Sequence, residues 1–500
     1  MKRNNLFFNS LVLTCGGFLA KVFSVVYRIG LTRILGSFGI GIYQLIFPFY
    51  SLCVVLSTAG LPMAISKVIS KNPNCEIGVV KKCFKYASII SISLSLILFL
   101  GGKFIAMLQN QPNITICYVI LSPTIIILAF SAVIRGYFQG KHNFYPTAVS
   151  NILEQAVKML AGLIVSLVLL RFGLIYSIIG AVASIVLSEF VSLFYLFIKF
   201  SKQEKTDCNS KTENINLFKD IMPILITNLI LPVASFIDSF LVVRLLEQNF
   251  SHDSSVFLYG LESGVVSNVV SLPTIFSFAV SSVILPKISN MKSVIDKKNN
   301  LNFSLKITLL IIVPCCVVFL IMPKQILQVI YSNRLSNGEY DGLKIASKLL
   351  QISALGGIGL CVNQILSSFL QGVNLRFETV KNLTISVIVK LMIEVALLTN
   401  PNVGIYALAL SNLVCYVLTC LLNSVSIIRH FKFKKEFNFA LKLLFANVVF
   451  AVFLYLIVVS NQNIFAVISC SLLALCVYFG ILFMEKIFTK SEIGRMKYLS

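Results

Sequence analysis

The sequence predicts an all-α integral membrane protein with about 14 transmembrane helices, and its composition, its apolar runs and its basic residues predict this class. Hydrophobic residues make up 57% of the chain, charged residues only 12%, and the mean hydropathy is +0.90. A soluble globular domain carries about 25% charged residues. The composition therefore indicates that lipid, rather than water, surrounds most of the chain.

Apolar runs recur along nearly the whole length. A helix of roughly 20 residues is long enough to cross the hydrocarbon core of a bilayer, which is about 30 Å thick. The predicted spans are 6–28, 40–65, 86–102, 115–134, 145–170, 173–198, 218–244, 257–285, 303–322, 345–370, 378–399, 404–428, 438–459 and 463–484. The intervals between them leave no room for a soluble domain.

The basic residues are unevenly distributed between alternate loops. In a soluble protein the net charge of +23 would suggest a nucleic-acid partner. With the N-terminus inside, however, 30 of the 42 lysines and arginines fall in inner segments or at the inner ends of spans, eight lie outside or at the outer edge, and four lie deeper within spans. This asymmetry follows the positive-inside rule and predicts that both termini face the cytoplasm. No nucleic-acid partner is expected.

Self-similarity between two halves of the chain predicts the domain organisation. Gln139-Gly140, Thr147 and Lys158 recur 232 residues later as Gln371-Gly372, Thr379 and Lys390. Six spans per half are an even number, so both halves enter the membrane from the same side as parallel bundles. The predicted units are a six-helix bundle at 1–199, a cytoplasmic linker at 200–217, a second six-helix bundle at 218–429, and two extra helices with a cytoplasmic tail at 430–500.

A polar stripe in the fifth span predicts substrate binding. Thr147, Asn151, Glu154 and Lys158 are spaced by four, three and four residues, which places them on one helical face. Such a stripe must face protein or a watery cavity. Lys158, and Lys390 in the second half, are candidates for binding a substrate anion. The alternative is local pairing, of Glu154 with Lys158 and of Lys390 with Glu394.

Charges in other spans extend the candidate site. Lys21 and Arg28 share a face of the first span with Ser24, and no acidic residue lies within one turn. A cavity role is the functional interpretation, with Asp238 as a candidate neighbour, and snorkelling of Arg28 to the outer interface is the alternative. Glu189 is a single acid well within the sixth span. It is either a site that couples transport to H⁺ or Na⁺, or a protonated, hydrogen-bonded side chain.

The chemistry of common enzymes and metal sites is not indicated. The 13 cysteines form no C-x-x-C pair and the three histidines are scattered over three loops, so neither a metal site nor a cofactor is predicted. The sequence has no G-x-x-x-x-G-K-[ST], G-x-S-x-G or H-E-x-x-H motif. A transporter without catalytic residues is therefore expected rather than an enzyme.

Five segments carry a resemblance to a known family: A-K-V-F-S-V-V-Y-R-I-G-L-T-R-I-L-G at 20–36, G-I-G-I-Y-Q at 39–44, L-S-T-A-G-L-P-M-A-I-S-K at 56–67, R-G-Y-F-Q-G-K-H-N at 135–143 and T-A-V-S-N-I-L-E-Q at 147–155. The chain resembles the stage V sporulation protein B family, in the polysaccharide-biosynthesis branch of the multidrug/oligosaccharidyl-lipid/polysaccharide exporter superfamily. The 135–143 segment is interpreted as a structural turn at the inner surface, with gating of the cytoplasmic mouth as the alternative.

The resemblance implies a substrate and a location. It implies flipping of an undecaprenyl-diphosphate-linked sugar, such as the peptidoglycan precursor lipid II, across the cytoplasmic membrane of an endospore-forming bacterium. In related flippases a basic central cavity binds the diphosphate, and by position Lys21, Arg28, Arg33 and Lys158 are the candidates here. Tyr27-Arg28 stands where some relatives have an Arg-Asp pair. The two extra helices resemble those that form a groove for the lipid tail.

Three other functions are weighed against this one. A cation-coupled multidrug antiporter of the same superfamily would depend on embedded acids, here Glu189 or Asp238. A major-facilitator carrier would have a D-R-x-G-R-R type loop after the second span, whereas residues 65–71 read I-S-K-V-I-S-K. A membrane glycosyltransferase or polymerase would need a larger outer loop with catalytic acids than residues 323–344 provide.

Overall fold

The structure is a computed structural model that describes residues 2–71, 76–203, 217–291, 293–331, 335, 340–401, 403–431, 437–460 and 464–485, without some side chains within these ranges. Nearly all of these residues are helical. The helices are α1 (Lys2–Thr58), α2 (Leu61–Lys71), α3 (Glu76–Leu108), α4 (Thr115–Gly140), α5 (Tyr145–Leu169), α6 (Leu174–Ser201), α7 (Leu217–Leu246), α8 (His252–Tyr259), α9 (Ser267–Val270), α10 (Thr274–Asn290), α11 (Val294–Ile321), α12 (Pro323–Tyr331), α13 (Gly342–Gly372), α14 (Arg376–Leu397), α15 (Tyr406–Phe431), α16 (Phe437–Ser460) and α17 (Ile464–Met484).

The first helix contains two of the predicted spans. α1 is 57 residues long, and its helical backbone is interrupted at Gly36, where φ is 69° and ψ is −178°. Glycine suits this break because residues with a Cβ rarely adopt positive φ. A straight helix of that length would extend about 85 Å, more than twice the hydrocarbon thickness. The break divides α1 into two segments, each long enough for one crossing.

The number of membrane spans in the described residues is lower than predicted. Ten stretches are long and apolar enough to cross a membrane, or eleven if the bent pair His252–Val270 and Thr274–Ser289 forms one span. Three features explain the difference from 14. The α1–α2 region counts as one stretch, α14 carries five charged residues, and the apolar part of α17 is short at Leu473–Met484.

The predicted turn at 135–143 is wrong in its first part, because α4 continues to Gly140 and includes Arg135. A Cβ added at Gly136 would come within 2.9 Å of Pro62 Cα, and one at Gly140 within 2.8 Å of Ile69 Cβ. These two small residues, four apart, let α4 approach α2 closely, as in helix pairs of other membrane proteins. The chain turns only afterwards, at His142, where φ is 56°.

The described residues form two compact units, Met1–Gly264 and Val265–Ser500. We call them the N-terminal and C-terminal units. In the N-terminal unit α5 packs against α1 and α6, and α4 packs against α2, α3 and α6. Of the predicted linker and tail, residues 204–216 and 486–500 lie outside the described residues.

Helix boundaries retain the 232-residue register of the repeat. α4 and α13 end at Gly140 and Gly372, and α6 and α15 begin at Leu174 and Tyr406. Just as Gly140 meets α2, Gly372 meets α10, since a Cβ there would come within 3.0 Å of Ile288 Cγ2. Each unit therefore contains the same close approach of two helices.

Candidate substrate site in the N-terminal unit

The first half of α1 has two exposed sides. Leu19, Val22 and Val26 form an apolar exposed side, with 37–47% of each residue's surface accessible. Lys21 and Arg28 are also exposed, but at 100° per residue they lie roughly 140° away around the helix. Lipid is expected to cover the apolar side, because charged side chains in hydrocarbon are costly. The two cations therefore point away from the side expected to face lipid.

Lys158 has a similar position on α5. An apolar side of α5 is formed by Leu160, Ile164 and Leu167, which are 58–61% exposed. At 100° per residue, Lys158 lies roughly 150° around the helix from the middle of this side. The Lys158 ammonium lies over the Tyr27 ring of α1, with Nζ 5.5 Å from the ring centroid. A cation over an aromatic face is attracted by the ring quadrupole. This contact directs Lys158 toward α1, the helix that carries the other two cations.

The three cations interact electrostatically. Lys21 interacts with Arg28, and Arg28 with Lys158. Like charges that are close enough to interact repel one another unless water or an anion screens them. The arrangement is therefore suited to a negatively charged group with several oxygen atoms. We call Lys21, Arg28 and Lys158 the cation cluster.

Glu154 does not pair with Lys158 but with Arg135, a residue predicted to lie in a turn. Arg135 Nη2 donates to Glu154 Oε2 at 3.0 Å and to Ser192 Oγ at 3.0 Å. Arg135 Nε donates to Ser150 Oγ at 3.2 Å. The guanidinium group thus links α4, α5 and α6 through charge-assisted and neutral hydrogen bonds.

Glu189 lies next to this network on α6. It is 6% exposed and interacts electrostatically with Glu154, Arg135 and Lys158. Within the described part of the chain, its Oε2 has no hydrogen-bond partner. Two neighbouring carboxylates in a buried setting favour a shared proton or a bound cation. The coupling role of Glu189 stays a prediction.

The remaining predicted residues of this unit are less closely grouped. Asn151 is half-buried on the polar side of α5, and Asp238 is half-buried on α7, a helix that contacts α1. Arg33 is exposed but lies about 140° from Arg28 around α1. It shares the side of Val26, so the structure does not bring Arg33 into the cation cluster.

Lys390 belongs to the C-terminal unit and has a different environment. Its Nζ lies 3.3 Å from Glu394 Oε1, with 8% and 0% of the two side chains exposed. Ser411 Oγ donates to the same Glu394 oxygen at 2.7 Å. This is the local pairing that sequence analysis held as the alternative, and it neutralises the Lys390 charge.

The C-terminal unit also replaces the arginine network by neutral side chains. In the repeat register, the positions of Arg135, Ser150, Glu154 and Ser192 are occupied by Ser367, Asn382, Ser386 and Ser424. Asn382 Nδ2 donates to Asn423 Oδ1 at 2.9 Å and to Ser426 Oγ at 3.0 Å. Amide and hydroxyl groups thus take the place of the guanidinium group there, and Ser426 Oγ donates in turn to Glu378 Oε2 at 3.0 Å.

Arg135 is the residue of this region that sequence analysis missed. It directly follows the predicted fourth span, and its charge favoured placing it in a loop. The available signal was the pair Gly136 and Gly140, whose four-residue spacing is typical of a helix that packs closely on another. This spacing indicates a helix that continues past Arg135. In the structure, α4 does so and places the Arg135 guanidinium group inside the unit.

Comparisons with known proteins identify similar chains. Residues 6–292 match the family model described as polysaccharide biosynthesis protein. The chain is 26% identical over 446 residues to stage V sporulation protein B of Bacillus subtilis (strain 168), covering 85% of this chain and 84% of the relative. It is 23% identical over 459 residues to lipid II flippase MurJ of the same organism, covering 84% and 82%.

A solved structure shares the fold. Lipid II flippase MurJ in an inward closed conformation aligns with a TM-score of 0.73 at 17% identity. The alignment covers 95% of this chain and 99% of the other. At this level of identity the similarity shows a common fold, and the site must be argued from this chain's own residues.

Proposed function

Since the chain belongs to the polysaccharide biosynthesis protein family, we propose that it flips an undecaprenyl-diphosphate-linked sugar, such as lipid II, across the membrane by alternating access. The chain is a multi-pass protein of the cytoplasmic membrane. Its relatives in sequence and structure include lipid II flippases, and it is a transporter rather than an enzyme.

The cation cluster is the observation that carries the proposal. Lys21, Arg28 and Lys158 lie away from the apolar sides of α1 and α5. A diphosphate presents several anionic oxygens, and Lys and Arg are the side chains that recognise such groups. The sugar would meet polar residues of the same stripe, including Asn151, and the lipid tail would remain among membrane lipids.

We further propose the architecture that such a cycle needs. It consists of 14 spans with both termini in the cytoplasm, two parallel six-helix bundles at 1–199 and 218–429, and two extra helices after residue 430. The matching helix ends at Gly140 and Gly372 support the repeat. Rocking of one bundle against the other would expose the site to each side of the membrane in turn.

A reconstituted flipping assay tests the function. Vesicles containing the purified protein are loaded with a fluorescent undecaprenyl-diphosphate sugar, and its appearance in the opposite leaflet is measured. Arg28→Ala and Lys158→Ala are expected to lower the rate at subsaturating substrate by about tenfold or more, because each removes a charge from the diphosphate contact. Arg171→Ala, at an exposed position after α5, is the matched control. Full activity of both cluster variants would refute the proposal.

A cation-coupled multidrug antiporter is the second candidate. The buried carboxylate of Glu189 favours it, because embedded acids bind protons or Na⁺ in coupled transport. In that case Glu189→Gln or Asp238→Asn should abolish export of cationic drugs, while the cluster variants export normally. Under the flippase proposal the same acids are candidates for H⁺ or Na⁺ coupling of lipid transport. Drug export without lipid transport would favour the antiporter.

A further inference from the structure

We infer that Arg135 is a positioning residue of the proposed anion site, which holds the Glu154 carboxylate away from Lys158 and so leaves the Lys158 charge available to an anionic headgroup. The inference rests on the proposed function, since it specifies how the site keeps its affinity for the anion. Arg135 would not touch the substrate itself.

Both oxygen atoms of Glu154 accept hydrogen bonds from groups other than Lys158. Oε2 accepts from Arg135 at 3.0 Å, and Oε1 accepts from the Gln155 side-chain amide at 2.9 Å. Arg135 is itself fixed by Ser150 and Ser192, both with 0% exposure. A guanidinium group with three such bonds is a rigid partner for a carboxylate.

Lys158 is consequently left without an ion-pair contact. Among the described residues, no carboxylate oxygen lies within ion-pair distance of its Nζ, which instead lies over the Tyr27 ring. Glu154 lies four residues before Lys158, the spacing at which a carboxylate and an ammonium group on one helix can pair. Without Arg135, the carboxylate is therefore free to turn toward Lys158.

The C-terminal unit supplies the comparison within the same chain. There the repeat register replaces Arg135 by Ser367, and Lys390 pairs with Glu394 at 3.3 Å. Glu394 stands at the position of Gly162, whose missing side chain makes room for the Tyr27 ring. Two equivalent lysines thus differ in their partners: a carboxylate neutralises Lys390, whereas an aromatic face holds Lys158.

The test measures binding of farnesyl diphosphate, a soluble prenyl diphosphate, to the purified full-length protein in detergent. Arg135→Gln is expected to weaken binding about tenfold, because Glu154 then neutralises Lys158. Adding Glu154→Gln to that variant is expected to restore affinity to within about threefold of wild type, since the carboxylate one helical turn from Lys158 is then gone. In a Lys158→Ala background, Arg135→Gln should change the affinity by less than about twofold.

A structural role for Arg135 gives a different pattern. A structural role predicts that the variant with both Arg135→Gln and Glu154→Gln binds the probe as weakly as Arg135→Gln alone. It also predicts that Arg135→Gln weakens binding in the Lys158→Ala background. Either result overturns the inference. Wild-type affinity of Arg135→Gln overturns it as well. If Arg135→Gln does not fold, Glu154→Gln alone decides, because the inference requires it to bind at least as tightly as wild type. Failure of the wild-type protein to bind the probe or flip the lipid refutes the proposed function instead.

Discussion

The Lys158 ammonium of α5 lies 5.5 Å from the centroid of the Tyr27 ring of α1. Tyr27 is 2% exposed, and its hydroxyl lies 3.1 Å from that of Tyr43, which follows the helix break at Gly36. The ring therefore connects a cation of the proposed site to both segments of α1. A change in the angle between these segments would be transmitted to Lys158.

Loss of the Tyr27 ring is expected to weaken the site. Tyr27→Leu should lower the apparent affinity for the lipid substrate about fivefold, since a cation–π contact contributes about 0.5–2 kcal/mol. Tyr27→Phe keeps the ring and should change the affinity by less than about twofold. Flipping rates in vesicles as a function of substrate concentration measure both values. Equal losses in the two variants would assign the effect to the hydroxyl group.

Breaking the buried ion pair of the C-terminal unit is expected to cost stability. Lys390→Met leaves the fully buried Glu394 carboxylate without its cation and should lower the free energy of unfolding by about 3–5 kcal/mol. Lys390→Met combined with Glu394→Gln removes both charges and should recover most of this loss. Thermal unfolding in detergent measures the difference. A double variant as unstable as the single one would contradict the explanation.

The two close helix approaches should respond differently to an added methyl group. Gly140→Ala places a Cβ 2.8 Å from Ile69 Cβ, whereas Gly372→Ala places one 3.0 Å from Ile288 Cγ2 and 3.1 Å from Ile288 Cβ, which is a less severe overlap. Gly140→Ala is expected to lower the free energy of unfolding by about 1–3 kcal/mol, and Gly372→Ala is expected to lower it by less. Thermal unfolding of both variants checks the order. A larger loss for Gly372→Ala would show that the α10–α13 contact is the less adaptable one.

The proposed orientation in the membrane can be tested with reporter fusions. A green fluorescent protein fused after Lys202 should fluoresce, because the positive-inside rule places this residue in the cytoplasm. Alkaline phosphatase fused after Arg171 should be active, because this residue is expected outside. Exchanging the two reporters should abolish both signals. If green fluorescent protein fluoresced after Arg171 and alkaline phosphatase were active after Lys202, the proposed orientation of the chain in the membrane would be reversed.

Much of the fold followed from patterns within single segments. Apolar runs of about 20 residues predicted where the helices lie, and steps of three and four residues placed Thr147, Asn151, Glu154 and Lys158 on one side of α5. The repeat register of 232 residues likewise agrees with the ends of α4 and α13. The helix positions and the polar side depend on the periodicity of one helix, and the repeat depends on the likeness of two segments. A sequence displays both directly.

The sequence by itself determined that this chain crosses the membrane many times and carries cations inside its spans, because hydrophobicity and helical spacing are local properties. Only the tertiary structure decided which charge pairs with which. Glu154 could meet Lys158 one turn away or Arg135 on another helix, and spacing does not choose between them. The packing of α4 against α6, and of α6 against α5, decides it, because it brings Arg135, Ser192 and Glu154 within hydrogen-bond distance.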